Sequence, residues 1–184
     1  MSRIQLFHTG YLEIRQPSVQ HGRKNADFGQ GFYLSPSDEF AGRWAKERRN
    51  SQIIVNTYEL ETDGLRIKHF ERDRQWFRYI FSNRRAEDIL PEYDVIIGPI
   101  ANDTIYDTLG IFTSGYLPDD LALDLLRIGP CYEQIALKTD KAASQLFWKS
   151  SRVLEHTEVE IFASQLQREE NEYLTAVSEA MAES

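Results

Sequence analysis

The apolar runs in this chain are short, and helical segments do not separate them at regular intervals. Apolar runs of about four to eight residues bounded by turn residues are typical of strands, and apolar residues at helical spacing are typical of helices. These rules predict strands at residues 4–7, 31–34, 52–59, 95–99 and 133–138. They predict helices at residues 36–45, 70–85, 103–109, 118–126 and 139–148. Because the two kinds of element do not strictly alternate, we predict an α+β fold and not a doubly wound parallel sheet.

The helix predicted at residues 36–45 has a recognisable start. Ser35 is predicted to cap it, and Pro36 to be its first helical residue, since proline is tolerated where no helical N–H is needed. Phe40, Ala41 and Trp44 then fall on one helical face. This face is expected to pack against the core.

No repeat, low-complexity tract or Pro/Gly/Ser-rich linker interrupts the chain, so we predict one domain over residues 1–150. Residues 151–184 are predicted to form a C-terminal helical extension, because their apolar residues follow a helical stripe. We expect this helix to pack on the domain. The alternative is that it docks a partner, either a neutralising antitoxin or a second copy of the chain. The stripe consists of Val159, Phe162, Leu166, Tyr173, Val177 and Met181.

A net charge of -8 weakens the case for tight nucleic-acid binding, because such binding depends on Lys and Arg. One cluster of arginines stands out at residues 72–85, and we predict that it is the solvated face of a helix. A local basic patch for nucleic acid is the alternative interpretation. The cluster consists of Arg72, Arg74, Arg78, Arg84 and Arg85.

Composition sets further expectations. Cys131 is the single cysteine, so no internal disulfide is expected, and a cytoplasmic location with no membrane association is predicted. The histidines at positions 21, 69 and 156 do not cluster, so no metal site is expected. Neither GxGxxG after a strand nor GxxxxGK[ST] is present, which leaves ordinary dinucleotide-binding and P-loop folds unsupported.

Three segments carry residues that binding sites use. They are residues 7–10 (Phe-His-Thr-Gly), 27–34 (Asp-Phe-Gly-Gln-Gly-Phe-Tyr-Leu) and 132–139 (Tyr-Glu-Gln-Ile-Ala-Leu-Lys-Thr). Each has an ordinary structural explanation: a hydrogen-bonded histidine, turn glycines, a core tyrosine, and solvated residues at a strand start. No spacing rule joins the three, so residue type alone indicates only an α+β domain.

In this order, the three segments resemble the ADP-ribosyltransferase superfamily, in the branch of diphtheria toxin and the poly-ADP-ribose polymerases. Members of that branch use a His, a Tyr and usually a Glu on three strands. More narrowly, the chain is similar to the bacterial DUF3990 family. The resemblance covers roughly residues 5–148, and it implies a split β-sandwich with flanking helices that takes NAD as substrate. The matching segments are residues 22–24, 27–34, 41–45, 93–103 and 134–139.

The resemblance implies roles for single residues. His8 would hold the ribose beside nicotinamide by a hydrogen bond, and the backbone of Thr9 and Gly10 would contact the carboxamide, which needs one donor and one acceptor. Tyr33 would stack on the nicotinamide ring, which is worth ~0.5–1.5 kcal/mol beyond burial.

The third position of the family triad is Gln134, where the branch usually has Glu. The transition state of NAD cleavage resembles an oxocarbenium ion, which a carboxylate stabilises. Gln accepts the same hydrogen bond without the charge, at a cost of ~3 kcal/mol or about 10² in rate. Glu133 is the rival catalytic residue, although adjacent strand residues face opposite sides.

The remaining predicted NAD-binding residues have weaker support. Arg23 would bind the pyrophosphate, since guanidinium suits phosphate oxygens, or would be a solvated loop charge. Asn102 would line the cleft or would cap the helix predicted at residues 103–109. The glycine-rich segment contributes Asp27, Phe28, Gly29 and Gly31, with the glycines allowing close backbone approach.

The predicted function is therefore NAD-dependent ADP-ribosyl transfer to an unidentified protein or nucleic-acid acceptor. By family analogy alone, the chain would be the toxin of a bacterial toxin–antitoxin or defence pair. Two alternatives stay open. One is an NAD glycohydrolase, in which water is the acceptor. The other is a non-catalytic module that binds NAD or ADP-ribose, which Gln134 favours.

Overall fold

A computed structural model describes residues 2–87, 90–105 and 118–182. Its strands are β1 (Arg3–Gly10), β2 (Phe32–Leu34), β3 (Ile54–Glu61), β4 (Ile67–His69), β5 (Val95–Pro99), β6 (Glu133–Leu137) and β7 (Leu146–Val153). Its helices are α1 (Asp38–Gly42), α2 (Arg74–Arg84), α3 (Asn102–Ile105), α4 (Asp119–Leu126), α5 (Asp140–Ser144) and α6 (His156–Ala182). A single 3-10 turn covers Val19–His21. The predicted α+β class is confirmed.

The strands form two sheets. The three-stranded sheet has the order β1-β3-β7 and is antiparallel. The four-stranded sheet has the order β2-β6-β5-β4, and β4 runs parallel to β5 while the other pairs are antiparallel. Phe7 of β1 and Ser35 exchange two backbone hydrogen bonds of 2.8 Å, which join the two sheets at one point.

Alternation along β5 and β6 places two cores on opposite faces of the four-stranded sheet. Val95, Ile97, Ile135 and Leu137 pack against Leu6, Tyr58 and Leu60 of the other sheet. Ile96 and Ala136, which lie between them in sequence, belong to a second core with helices α2, α4 and α6. Since side chains alternate along a strand, each sheet face thus serves a different core.

The sequence predicted most elements near their observed positions, and β5 matches residue for residue. The predicted start of the first helix was wrong. Ser37 caps α1, and its Oγ accepts a hydrogen bond of 3.1 Å from the Phe40 N–H. Ser35 cannot begin the helix, because its backbone pairs with β1 in extended form. Of the helix predicted at residues 103–109, positions 106–109 lie outside the described residues.

The helix predicted at residues 139–148 was also too long. Thr139 caps α5 as expected, but α5 ends at Ser144 and residues 146–148 begin β7. Pairing with β3 stabilises this strand, and the sequence prediction contained neither β7 nor β4. Strand β7 runs to Val153 and so crosses residue 150, the predicted domain boundary.

The C-terminal extension forms α6, and α6 packs on the domain. Val159, Tyr173 and Val177 are buried, whereas Met181 of the predicted stripe is 46% exposed. Glu169 anchors the middle of the helix, where it accepts hydrogen bonds from the Arg43 guanidinium at 2.7 and 2.8 Å.

No helix within the described residues is long and apolar enough to span a membrane.

Candidate active site

A cavity of about 550 Å³ opens where β1, β2 and β6 come together. The register explains why two of the predicted residues share it. Tyr33 pairs with Ala136, and Gln134 lies two positions from Ala136, so both side chains are on the same sheet face. His8 of β1 reaches the same cavity because its neighbour Phe7 pairs with Ser35, which directly follows β2. The lining also contains Phe7, Thr9, Arg23, Asn25, Ala26, Asp27, Leu34, Ser35, Ala41, Trp44, Arg84, Ile100, Thr104 and Glu133.

The imidazole of His8 is fixed in one tautomer. Its Nδ1 lies 2.8 Å from the Tyr33 carbonyl oxygen, which can only accept, so Nδ1 carries the proton. Burial lowers the pKa of His8, against the opposing effect of this hydrogen bond, and keeps the ring neutral. Phe32 stacks on the imidazole at 4.6 Å between ring centroids. His8 therefore presents Nε2 as an acceptor at the cavity.

The hydroxyl of Tyr33 is used within the protein. It donates to the Gly29 carbonyl at 2.7 Å and accepts from the Phe28 N–H at 2.9 Å. Burial raises the pKa of Tyr33, and the nearby Asp27 adds to the effect, so the phenol stays protonated. These bonds clamp the glycine-rich segment and fix the ring, leaving the aromatic ring as the part of Tyr33 available to a ligand.

Gln134 and Glu133 both line the cavity, in different environments. Gln134 is 9% exposed, and its buried Nε2 has no hydrogen-bond partner in the described part of the chain. A buried donor without a partner costs about 1–3 kcal/mol, which a ligand acceptor would recover. Glu133 is exposed and forms no ion pair with any described residue. Strand alternation therefore does not exclude Glu133 from the site, contrary to our expectation.

Of Thr9 and Gly10, the two residues predicted to contact a carboxamide, only Thr9 lines the cavity. Thr9 lines the cavity, and its hydroxyl donates to the Ala41 carbonyl at 2.5 Å. Gly10 is not part of the lining, although a Cβ there would lie 3.5 Å from Nε2 of His8. A Cβ at position 10 would thus make an ordinary van der Waals contact with the imidazole.

Other predicted residues serve the fold and do not line the cavity. The Phe28 side chain is fully buried in the helical core. Gly29 has a φ of +71°, a region that favours glycine, and a Cβ at Gly31 would lie 2.6 Å from the Leu137 carbonyl oxygen. These glycines are required by a turn and by packing on β6.

Asn102 begins α3 and is fully buried. Its Oδ1 accepts from Arg72 at 2.9 Å, and its Nδ2 donates to the Ile128 carbonyl. It does not line the cavity. Its contacts are those of a structural residue that holds the turn after α4.

Sequence reasoning missed a buried ionic cluster at one wall. The Arg84 side chain is 10% exposed and bonds both carboxylate oxygens of Asp103, at 2.8 and 2.9 Å. It also pairs with Asp27 at 2.8 Å, and Thr104 bridges the cluster by donating to Asp27. Burial disfavours the charge of Arg84, but these carboxylates outweigh it and raise its pKa. The prediction of a solvated arginine is wrong for Arg84.

Arg23 differs from Arg84, since it is exposed and forms no ion pair within residues 2–87, 90–105 and 118–182. The cavity therefore has one neutralised guanidinium in its wall and one available to an anion. A ligand phosphate would gain a charge-assisted contact with Arg23 without breaking an existing pair.

A second cavity of about 270 Å³ adjoins the first, and Trp44 and Thr104 line both. Trp44 is 40% exposed and forms an edge contact with Phe40 at 6.0 Å between ring centroids. The other lining residues are Phe40, Arg43, Lys46, Ile105, Leu166 and Glu170.

Among the described residues, no three His, Cys, Asp or Glu side chains converge as a metal site requires. The first cavity instead offers an aromatic ring, a neutral imidazole acceptor, an amide donor and a guanidinium. Such a set suits a flat aromatic ring joined through hydroxylated sugars to an anion.

No curated protein and no solved structure matches the chain significantly. The family model described as "Protein of unknown function (DUF3990)" matches residues 4–148, from β1 into β7. The cavity's lining residues all lie within that range, whereas α6 follows it. The chain belongs to the DUF3990 family.

Proposed function

We propose that the protein is an NAD-dependent ADP-ribosyltransferase with its active site in the first cavity, on the ADP-ribosyltransferase version of the split β-sandwich. The observation that carries the proposal is that His8, Tyr33 and Gln134 line one cavity although they come from three strands in two sheets. A His, a Tyr and a third polar residue on three strands is the arrangement that the family resemblance implies.

We assign the nicotinamide half of NAD to the part of the cavity that His8, Tyr33 and Gln134 line. Nε2 of His8 is an acceptor for a ribose hydroxyl, because Nδ1 is committed to the Tyr33 carbonyl. The Tyr33 ring offers a face for stacking with the pyridinium ring, which loses its positive charge when nicotinamide leaves. Gln134 offers its amide to the ribose 2′-hydroxyl.

The diphosphate is assigned to Arg23. This guanidinium has no carboxylate partner in the described residues, and it lines the same cavity as His8. Arg84 is less suited to that role, since Asp27 and Asp103 already neutralise it. The ionic cluster instead holds together the part of the lining that Asp27, Arg84 and Thr104 form.

Gln134 favours a second candidate function, which is NAD binding without turnover. An amide leaves the developing oxocarbenium charge uncompensated, at a cost of about 3 kcal/mol. Glu133, exposed at the same cavity, is the carboxylate that would restore part of this stabilisation. An NAD glycohydrolase uses the same residues, with water as acceptor. The toxin role is proposed by family analogy, and docking of a cognate antitoxin or of a second copy is proposed from the apolar stripe of α6.

Calorimetric titration of NAD, followed by measurement of free nicotinamide in the same sample, tests the proposal. We expect NAD to bind and nicotinamide to be released slowly. His8→Ala should weaken binding, and His69→Ala, which alters an exposed histidine of β4, is the matched control. Binding without release would leave the non-catalytic module, and absence of binding would refute both.

A further inference from the structure

An exposed aromatic and basic surface borders the proposed NAD site. We define it as the aromatic–basic rim, formed by Tyr11, Trp44, Lys46, Arg48 and Arg49. Tyr11 directly follows β1, and its hydroxyl donates to the Lys46 carbonyl at 2.8 Å. The Arg48 guanidinium lies over the Tyr11 ring at 5.7 Å. These contacts unite the residue after β1 and the loop after α1 in one surface.

The cations of the rim are not neutralised. Lys46, Arg48 and Arg49 are exposed and form no ion pair with any residue that the structure describes. Glu47, which lies between Lys46 and Arg48 in sequence, contacts His156 instead. The Oε1 atom of Glu47 lies 2.6 Å from the Nδ1 atom of His156. Three available cations on a chain of net charge -8 make a local positive patch. A patch of this kind attracts a polyanion locally despite the overall charge.

The rim also exposes aromatic rings, which a patch for phosphate alone does not need. Trp44 is 40% and Tyr11 37% exposed. Aromatic side chains beside a basic track are the two features by which proteins hold single-stranded nucleic acid, because every base offers a face for stacking. A duplex hides those faces, and an acidic peptide would use the cations but leave the indole without a matching group.

Trp44 connects the rim to the proposed chemistry. It lines the first cavity together with His8 and Tyr33, and it lines the second cavity together with Arg43 and Lys46. The second cavity, at about 270 Å³, has room for one small group such as a base. A strand that stacks on Trp44 therefore places its neighbouring nucleotide at the proposed NAD site.

We infer that single-stranded nucleic acid, DNA or RNA, is the acceptor of the ADP-ribosyl group; this inference rests on the proposed function. In the transfer, an N–H or O–H nucleophile of a nucleotide forms a bond to C1′ of the nicotinamide ribose. The glycosidic C1′–N bond breaks, and its electron pair leaves with neutral nicotinamide. The acceptor's proton passes to the exposed Glu133 carboxylate, and the ADP-ribosylated nucleic acid is released.

Binding of single strands is measured first, without NAD. Fluorescence anisotropy with labelled single-stranded DNA and RNA oligonucleotides of about 12 nucleotides should show saturable binding. If three cations contact phosphates, raising salt fourfold, from about 50 to 200 mM, should weaken binding about 20-fold. A duplex of the same sequence should bind more weakly than either single strand, because its base faces are not accessible.

Variants separate the rim from the NAD site. The triple variant Lys46→Ala/Arg48→Ala/Arg49→Ala should lose most oligonucleotide binding and keep NAD binding, since none of the three lines the first cavity. Trp44→Ala should weaken oligonucleotide binding about 5- to 150-fold. The matched controls are Phe147→Ala, for another exposed aromatic, and Lys149→Ala, for another exposed cation; both lie on β7 and should behave like wild type.

Transfer is then followed with NAD labelled in its adenylate half. The inference is supported if the wild-type protein labels the oligonucleotide and the triple variant does not. If wild type binds NAD but no single strand, or if label reaches protein and never the oligonucleotide, the inference is wrong while the proposed function stands. If oligonucleotides bind and NAD does not, the proposed function fails, and the acceptor role falls with it.

Discussion

The Nδ1 atom of His8 lies 2.8 Å from the carbonyl oxygen of Tyr33, so a side chain of one sheet is bonded to the backbone of the other. The carbonyl fixes the proton on Nδ1, and burial lowers the pKa of the ring. The same contact therefore joins the sheets and presents a neutral acceptor at Nε2. The protonation state of His8 should therefore affect both the free energy of unfolding and ligand binding.

The first prediction concerns pH. Because the folded pKa of His8 lies below its unfolded value of about 6.5, the stability that neutral His8 contributes is complete above that pH. It is lost as pH falls from about 6.5 through the lowered pKa. His156 acts in the opposite sense, since hydrogen bonding to Glu47 and the charges of Glu160 and Glu47 raise its pKa. Urea unfolding from pH 5 to 8 in a His156→Gln background isolates His8. Adding His8→Gln should flatten the remaining rise with pH, and an unchanged profile would contradict a pKa of His8 lowered by burial.

The second prediction concerns the hydroxyl of Tyr33. Tyr33→Phe leaves the Phe28 N–H and the Gly29 carbonyl without their partner, so we expect a loss of about 1–3 kcal/mol in the free energy of unfolding and weaker NAD binding. Tyr58→Phe is the matched control, because that buried hydroxyl donates to the Ile14 carbonyl and Tyr58 does not line the cavity. It should cost stability and leave NAD affinity unchanged. Equal losses of affinity would show that the effect is general.

The third prediction exchanges the residues at the end of β6. Gln134→Glu introduces a carboxylate where the proposed oxocarbenium ion forms, so nicotinamide release should rise about 100-fold, with some loss of stability from burying the charge. Gln134→Ala should weaken NAD binding. Glu133→Ala should leave NAD affinity unchanged and slow transfer to an acceptor. Release kinetics and calorimetry distinguish these effects, and the reverse pattern would make Glu133 the residue that contacts the ribose.

The fourth prediction concerns the buried ionic cluster. Arg84→Met leaves Asp103, which is fully buried, and Asp27 without a counter-charge, so the free energy of unfolding should fall by about 3–5 kcal/mol in urea titrations. Arg74→Ala is the control, because the Arg74–Asp120 pair is exposed on both sides and should contribute less than about 1 kcal/mol. Adding Asp103→Asn to Arg84→Met should recover part of the loss. A loss for Arg84→Met as small as that for Arg74→Ala would mean that solvent reaches the cluster.

The sequence predicted the elements whose cause is local. Val95–Pro99 was predicted to the residue because a run buried on both faces is continuously apolar, and Thr139 was recognised as a cap. Strand β7 was missed because its sequence, Leu-Phe-Trp-Lys-Ser-Ser-Arg-Val, is only partly apolar and depends on pairing with β3. No local pattern reports such pairing.

The candidate site was also predicted only in part. Family resemblance indicated the segments of His8, Tyr33 and Gln134, but their approach to one cavity follows from the register of β2 and β6 and from the Phe7–Ser35 bridge. Arg84 was predicted on a solvated face because its helix is rich in arginine. Its partner Asp27 is 57 residues away in sequence, so no spacing rule joins them.

The last prediction concerns the helix that follows the family match. Glu169 of α6 accepts hydrogen bonds from the Arg43 guanidinium and, at 2.9 Å, from the Tyr132 hydroxyl. Arg43 directly precedes Trp44 in sequence, and Tyr132 directly precedes Glu133. Tyr132 also stacks on Phe40 at 4.2 Å between ring centroids. Glu169→Ala should therefore loosen both Trp44 and the start of β6, weakening NAD binding as well as costing about 2–4 kcal/mol, since it leaves the largely buried Arg43 without this partner. Glu172→Ala, at an exposed position of the same helix, should change neither quantity. Unfolding curves together with NAD calorimetry check both effects, and a loss of stability with intact NAD affinity would show that α6 supports the fold alone.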